Sequence, residues 1–408
     1  MELGTILKTL QDPMGIPFYP IVFQVLMVLT FALHIMFVNF TLGTSFLSVY
    51  GYLKGGDNWG RLSKSLAKAT TVNISMAMLL GVAPLLFVQV VYDPFWYASN
   101  TLSAAWVIGF IFIMMLAYSL TYVFYLKRDS RGGGFAIFGI TVFALFLLSG
   151  IIMHALGYQL LQPEKWLSWY IKGTAVNTSG TSLHAFQLPR FLHFIIPSFA
   201  MTGIFLMLYA WYFKNRTDFD KGYLEWVGRT GAKMAFTFTA VQAVVGFWWL
   251  FSLPGEFNFF TNLFFLIGAA LGIVLLVLLY TAQKDPVKYA VPGILGAFLT
   301  IFGMSYAREA LRMKYLGRFD YSLFEYKLNI DWGSTALFLS TFVMGLAIIG
   351  YLLSVAYKSG RVAGEYASTP SMNKWGKISI TLMLIWIVIV AGLGIVISVK
   401  NYLIRGRL

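Results

Sequence analysis

Four histidines, His34, His154, His184 and His193, are the residues of this 408-residue chain with the clearest capacity for chemistry. Three of them, His34, His154 and His193, fall inside long apolar runs, where an imidazole is costly unless it is paired or bound to something. With the N-terminus placed on the outer side of a membrane, all four fall in its outer half. Packing histidines would have no reason to converge in that way. Neutral imidazole on facing helices is a common grip for b-type haem iron, which points first to His34 and His193 and then to His154. The alternative for each is a hydrogen bond to a carbonyl or hydroxyl on a neighbouring helix. His184 lies in a loop and is expected to carry no ligand role. Arg190 precedes His193 by three residues, so at a helix start the two share a face, and Arg190 could meet a propionate or a lipid headgroup.

A second constellation is the run from Tyr306 to Arg312, in which Glu309 and Arg312 share a helix face and Arg308 flanks them. Taken alone this would be an ordinary i, i+3 ion pair. Elsewhere Asp and Glu keep to the joints between apolar runs, so the chain of buried carboxylates expected of a proton pump or cation-coupled transporter is missing. No phosphate-cradling glycine loop, His-Glu-x-x-His motif or nucleophile elbow occurs. The absence of cysteine excludes disulfides, iron–sulfur clusters, thiolate metal sites and covalent c-type haem. Met76, Met114, Met115 and Met153 read as packing or lipid-facing residues. Glycines at 43, 81, 109, 203, 268 and 272 suit close helix contacts.

The elements that must position these groups follow from composition. With 59% hydrophobic and 11% charged residues, most of the chain cannot face water as a globular domain would. Runs long enough to cross a ~30 Å hydrocarbon core fall near 18–53, 69–93, 101–126, 134–162, 189–214, 230–252, 259–283, 288–308, 334–357 and 375–400. In lipid each backbone group must be satisfied within its own segment, and the alternating ten-residue runs of a barrel are absent, so the runs must be helices. The expectation is an all-α integral membrane protein of about ten transmembrane helices. Residues 1–408 would form one bundle, with an interfacial segment at 1–17 and outer loops near 163–188 and 309–333. The first apolar run is too long for a signal-peptide core and is read as retained.

The net charge of +14 would suggest nucleic acid in a soluble protein. Here the charges sit in short joints, where they orient helices and meet lipid headgroups, so no nucleic-acid partner is expected. An N-out arrangement puts Lys54, Arg61, Lys64, Lys68, Lys127, Arg128, Arg131, Lys214, Arg216, Lys221, Lys358, Arg361 and Lys374 on the cytoplasmic side. Arg312, Lys314, Arg318 and Lys327 run against that pattern.

Several of these segments resemble the haem-bearing subunit I of the cytochrome bd oxidase superfamily, in order, over the first eight helices. The run His34, Phe37, Val38, Thr41, Leu42, Gly43 is similar to the family's first helix, whose histidine binds a haem of the oxygen-reducing pair. Asn73 to Val82, Gly157-Tyr158 with Gln162-Pro163, and Arg190 to His193 with Thr202-Gly203 and Trp211-Tyr212 resemble its second, fourth and fifth helices. The resemblance implies low-spin haem b on His193 and haem ligation by Glu309, with Arg190 and Arg312 as propionate partners. There are departures. Ile108 and Leu116 stand where the family carries buried glutamates. Asn262 to Gly272 offers no counterpart of the methionine that partners the fifth-helix histidine, leaving His154 as candidate. The quinol-binding loop has shrunk to Ser252–Asn258.

The resemblance therefore implies a b-type cytochrome subunit of a respiratory complex in a bacterial or archaeal cell membrane. It would pass electrons between the quinone pool and a redox partner, beside a second membrane subunit and an external redox subunit. The alternatives are a terminal reductase of oxygen or another small molecule, and a haem-free scaffold that anchors an oxidoreductase. A secondary transporter is disfavoured by the scarcity of midplane charge.

Overall fold

The structure, a computed structural model, describes residues 3–128 and 133–405; Arg131, assigned above to the cytoplasmic side, lies outside them. Among the described residues ten helices are long and apolar enough to cross a membrane. The chain is an all-α multi-span membrane protein. It divides into two compact units, Met1–Trp211 with Lys221–Asn329, and Tyr212–Asp220 with Ile330–Leu408.

The first unit begins with a short helix, α1 (Leu3–Thr9), followed by α2 (Pro20–Lys54) and α3 (Asp57–Val91). Then come α4 (Asp93–Leu102), α5 (Ala104–Lys127), α6 (Ala136–Gln159) and α7 (Pro163–Tyr170). A two-residue antiparallel ribbon, β1 (Ile171–Lys172) with β2 (Ala175–Val176), precedes α8 (Leu188–Ile195), α9 (Pro197–Phe213), α10 (Lys221–Phe251), α11 (Leu263–Ala282) and α12 (Ala290–Gly317). Helices run past their hydropathy windows wherever polar residues can still be satisfied. Helix α3 starts at Asp57 rather than near 69, and α12 runs on to Gly317, through Glu309 and Arg312, which pair along it. Pro197 divides the expected fifth span into α8 and α9 because it offers no N–H to the ladder.

Small residues let the helices close up. Gly203 of α9 lies against the backbone of Gly231 and Ala235 on α10, and Gly43 of α2 lies against Ser198 and Thr202. Close backbone approach of this kind drives association where lipid removes the hydrophobic force between helices. Gly203→Leu should therefore force α9 from α10 and cost about 1–3 kcal/mol through overpacking, lowering the thermal midpoint of purified protein.

The N-terminal segment straps down the loop after α12. Leu7 and Ile16 are buried, and Ile16 donates its N–H to Lys327 and accepts from Asn329 through its carbonyl, both at 2.9 Å. Lys8 reaches Asp320 at 2.9 Å and Glu325 at 3.2 Å. Beneath the strap Asp93 accepts the Asp12 N–H at 2.8 Å and the Tyr326 hydroxyl, which pairs with Tyr321 at 2.6 Å.

Burial pushes the Asp93 carboxyl above its ordinary value of 3.8, against the opposing pull of its Tyr326 and Asp12 hydrogen bonds. The folded strap thus holds this proton more tightly than the unfolded chain does. Its contribution should be fully felt in acid and decline as pH rises from 3.8 through the raised value. Asp93→Asn should flatten that decline, measured as hydrogen exchange of residues 12–16 against pH.

In the second unit α13 (Trp332–Ser359) is N-capped by Asp331, which accepts from Gly333 and Ser334 at 2.9 and 3.1 Å, and it pairs with α14 (Pro370–Arg405). Gly376 admits the Tyr351 hydroxyl between them. No residue of α13 is buried.

Candidate functional site

A cavity of about 310 Å³ lies among α2, α8, α9, α10, α11 and α12 in the first unit. That volume falls in the range of small-molecule and cofactor sites. Phe31, Ile35 and Asn39, spaced four apart on one stripe of α2, form one wall. The remaining lining is apolar except for a few groups, chiefly His193, Gln242, Thr239, Thr300, Ser305 and Arg308.

His193 is held from α10. Proline at 197 leaves the His193 carbonyl without its i+4 donor, and Gln242 supplies one: its Nε2 lies 2.9 Å from that oxygen. The same nitrogen is 2.9 Å from His193 Nδ1, while Gln242 Oε1 is buried without a hydrogen-bond partner. One turn further, Gly246 leaves room for the ring, since a Cβ there would come within 3.1 Å of its Cε1. Trp249 packs beside the imidazole, ring centres 5.1 Å apart.

Three arginines gather at one end. Arg308, Trp249 and Leu311 line both the large cavity and a small adjoining one of about 20 Å³, which Arg190 and Arg312 also line. Arg190 donates Nη2 to the Gly157 carbonyl at 3.2 Å, and its Nη1 is buried without a partner. Arg308 lies 4.1 Å over the Phe31 ring, and its Nε is likewise buried and unpartnered. Arg312 pairs with Glu309 at 2.9 Å and lies over the Tyr92 ring. The other Glu309 oxygen accepts the Tyr92 hydroxyl. Among the described residues, then, one carboxylate is paired within a cluster of three guanidiniums. Two positive charges in excess, in a low-dielectric setting, call for negative charge from an occupant.

The structure puts His193 and Arg308 on the large cavity and Arg190 and Arg312, again with Arg308, on the small one beside it, and leaves three other candidates outside both. His34 turns to α3, with Nδ1 2.9 Å from the Ala77 carbonyl and the ring against Gly81. His154 does not reach the cavity on which His193 opens: its Nε2 accepts the Gln187 N–H at 3.1 Å among Phe186, Phe191 and Tyr158. Glu309 lines neither cavity, and both its oxygens are engaged as described. His184 stacks on Trp169, rings 5.1 Å apart, as a loop residue.

Sequence reasoning overlooked Gln242, although an amide inside an apolar run is itself a signal. It also left Arg308 without a task and did not consider Met304, which lines the cavity and touches Gly268. Among the described residues no three His, Cys, Asp or Glu side chains cluster as a metal site. One histidine beside a large apolar space suits a metal that arrives with most of its own ligands.

Fold and cavity together define a multi-span α-helical membrane protein with an apolar chamber among its helices. No family profile and no curated protein matches the sequence. Among solved structures the chain is similar to bd oxidase from Geobacillus thermodenitrificans, with a TM-score of 0.66 over 84% of this chain and 98% of that one. Sequence identity is 12%, so the likeness establishes a shared fold.

The charge imbalance makes a contrast testable in the unloaded protein. Glu309→Gln strips Arg312 of its counter-charge and should destabilise the protein by about 3–5 kcal/mol, whereas Arg308→Leu removes an unmatched charge and should be neutral or stabilising. Thermal melts of both variants in detergent check the pair.

Proposed function

We propose that this chain is a membrane-embedded b-type cytochrome, the bd-oxidase-like subunit of a respiratory electron-transfer complex in the cytoplasmic membrane. It passes electrons between the quinone pool and a redox partner. The observation that carries the reading is an imidazole, His193, on an apolar chamber whose wall at Arg308 adjoins a small cavity lined by Arg190 and Arg312, a cluster with two guanidiniums in excess of its one paired carboxylate. Haem b is a flat apolar ring with iron at its centre and two propionates on one edge. It supplies a one-electron couple when bound.

In this reading His193 would hold the iron, Arg308 would meet a propionate at the chamber wall, and Arg190 and Arg312 would add charge-assisted hydrogen bonds from the small adjoining cavity. Gly246 and the apolar walls exclude water and hold a low dielectric, which together with axial ligation tunes potential. Glu309 acts as counter-charge to Arg312; ligating iron would require it to give up Tyr92 or Arg312. His34 belongs to a separate site facing α3. Its Nδ1–H donates to Ala77, an arrangement typical of a ligating imidazole, and leaves Nε2 with a free lone pair. A second membrane subunit and an external redox protein are the expected companions.

One observation favours a second reading. As seated, Gln242 donates to Nδ1 and so places the His193 proton on Nε2, which suits hydrogen bonding to a quinone carbonyl. A neutral quinone, however, leaves the guanidinium excess unmatched.

A pyridine haemochrome assay with visible spectra decides between them. The purified protein should carry haem b, and His193→Ala should lose most of the haem associated with this chamber. Arg308→Leu should weaken its retention about tenfold or more, as loss of a charged partner does. A colourless wild-type protein, or an unchanged spectrum in His193→Ala, defeats the reading. Carbon monoxide altering the reduced spectrum would instead mark an open iron position and a terminal reductase.

A further inference from the structure

Gln242 is joined to His193 at two atoms, and those two attachments make opposite demands on its amide. The carbonyl of His193, stranded by Pro197, needs a donor and receives the Gln242 Nε2–H at 2.9 Å. The ring nitrogen Nδ1, also 2.9 Å from Nε2, is thereby made an acceptor. A neutral imidazole carries one proton, so this arrangement places it on Nε2. Iron needs the lone pair of Nε2. Ligation through Nε2 would therefore put the proton on Nδ1, where it would face an N–H, donor against donor.

We propose that Gln242 is the positioning residue for His193, a two-position amide that turns when the chamber is filled. The inference rests on the haem reading above. A half-turn about its last side-chain bond exchanges the amide atoms and brings Oε1 to Nδ1–H. That oxygen is buried without a partner before the turn and gains one through it. The turn leaves Nε2 in the position where Oε1 had no partner and sets Oε1 toward the His193 carbonyl that Nε2 had served, so it is unfavourable in the empty protein and is driven by ligation. In the loaded state the amide oxygen orients the ring and raises its basicity, as partners of ligating histidines generally do. Gly246 leaves the ring room for the small shift that carries Oε1 away from the His193 carbonyl.

The competing explanation is that Gln242 only caps the stranded carbonyl. Substitution separates the two. Leucine neither donates nor accepts. Glutamate as its anion cannot donate to the carbonyl but accepts from Nδ1–H more strongly than the amide does. A cap alone is lost equally in both variants, whereas a ring partner is lost in one and strengthened in the other.

The measurements are haem transfer from the full-length purified protein to a scavenging apoprotein, and the reduced fraction at fixed ambient potentials. Q242L should release haem about tenfold faster or more and be more readily reduced. Q242E should retain its haem and be harder to reduce than wild type. Displacement of both variants in the same direction overturns the proposal, as does a Q242L protein that matches wild type in both measurements. If Q242E does not accumulate, the reduced fraction of Q242L decides: loss of a backbone cap alone leaves it at the wild-type value, and that result overturns the proposal. His193→Ala is measured in parallel. If its haem content and spectrum equal those of wild type, the haem reading fails first, whereas normal loss in His193→Ala with an inert Q242L refutes the role of Gln242 only.

Discussion

Charge that lipid cannot solvate governs this molecule. Arg190, Arg308 and Arg312 converge from α8 and α12, and among the described residues the one carboxylate paired within the cluster is Glu309. In water the imbalance would be trivial; between apolar helices it is worth several kcal/mol per unmatched ion. Some of it is softened locally, by the Gly157 carbonyl and by the faces of Phe31, Tyr92 and Tyr158. Aromatic faces and one carbonyl do not carry a full negative charge. The chamber beyond Arg308 is then the natural place for the remainder, and its apolar walls require that the anion be one end of an otherwise greasy molecule.

The same accounting explains the break between α8 and α9. A proline inside a spanning helix frees a carbonyl, and in lipid that carbonyl must find a donor from a neighbouring element. Here the freed carbonyl belongs to His193 and the donor to Gln242, so a backbone repair and a functional side chain share one residue. Gly246 one turn away and Gly203 against Gly231 bring α10 close enough for both.

The spans were legible because apolar runs in lipid leave helix as the sole solution, and the structure places helices on all ten. Their ends were less legible. Hydropathy stops at charge, whereas α12 continues through Glu309 and Arg312 because the two neutralise one another inside the helix. Arg190 and His193 could be placed on one face from their spacing alone. Which wall His34 and His154 faced could not, since that depends on how α2 and α6 are rotated against their neighbours. Counting histidines in the outer half named candidates without placing them around one space. Gln242 was hidden for a different reason: its partner is the stranded backbone beside residue 193, and a search for side-chain chemistry passes over a carbonyl.

The two histidines at 34 and 193 face different neighbours. Phe31, Ile35 and Asn39 line the chamber on α2, while His34 lies on the adjoining face and meets Ala77 and Gly81 of α3. A helix residue one position from Ile35 is turned by about 100°, since 3.6 residues complete a turn. One flat group therefore cannot be gripped by His34 and His193 together without rotating α2, and rotation is opposed by Gly43, seated directly against Ser198 and Thr202. If both imidazoles bind iron, they do so on two groups, separated by α2 itself. Electron passage between them would then be set by the thickness of one helix, a distance the close contact at Gly43 holds fixed.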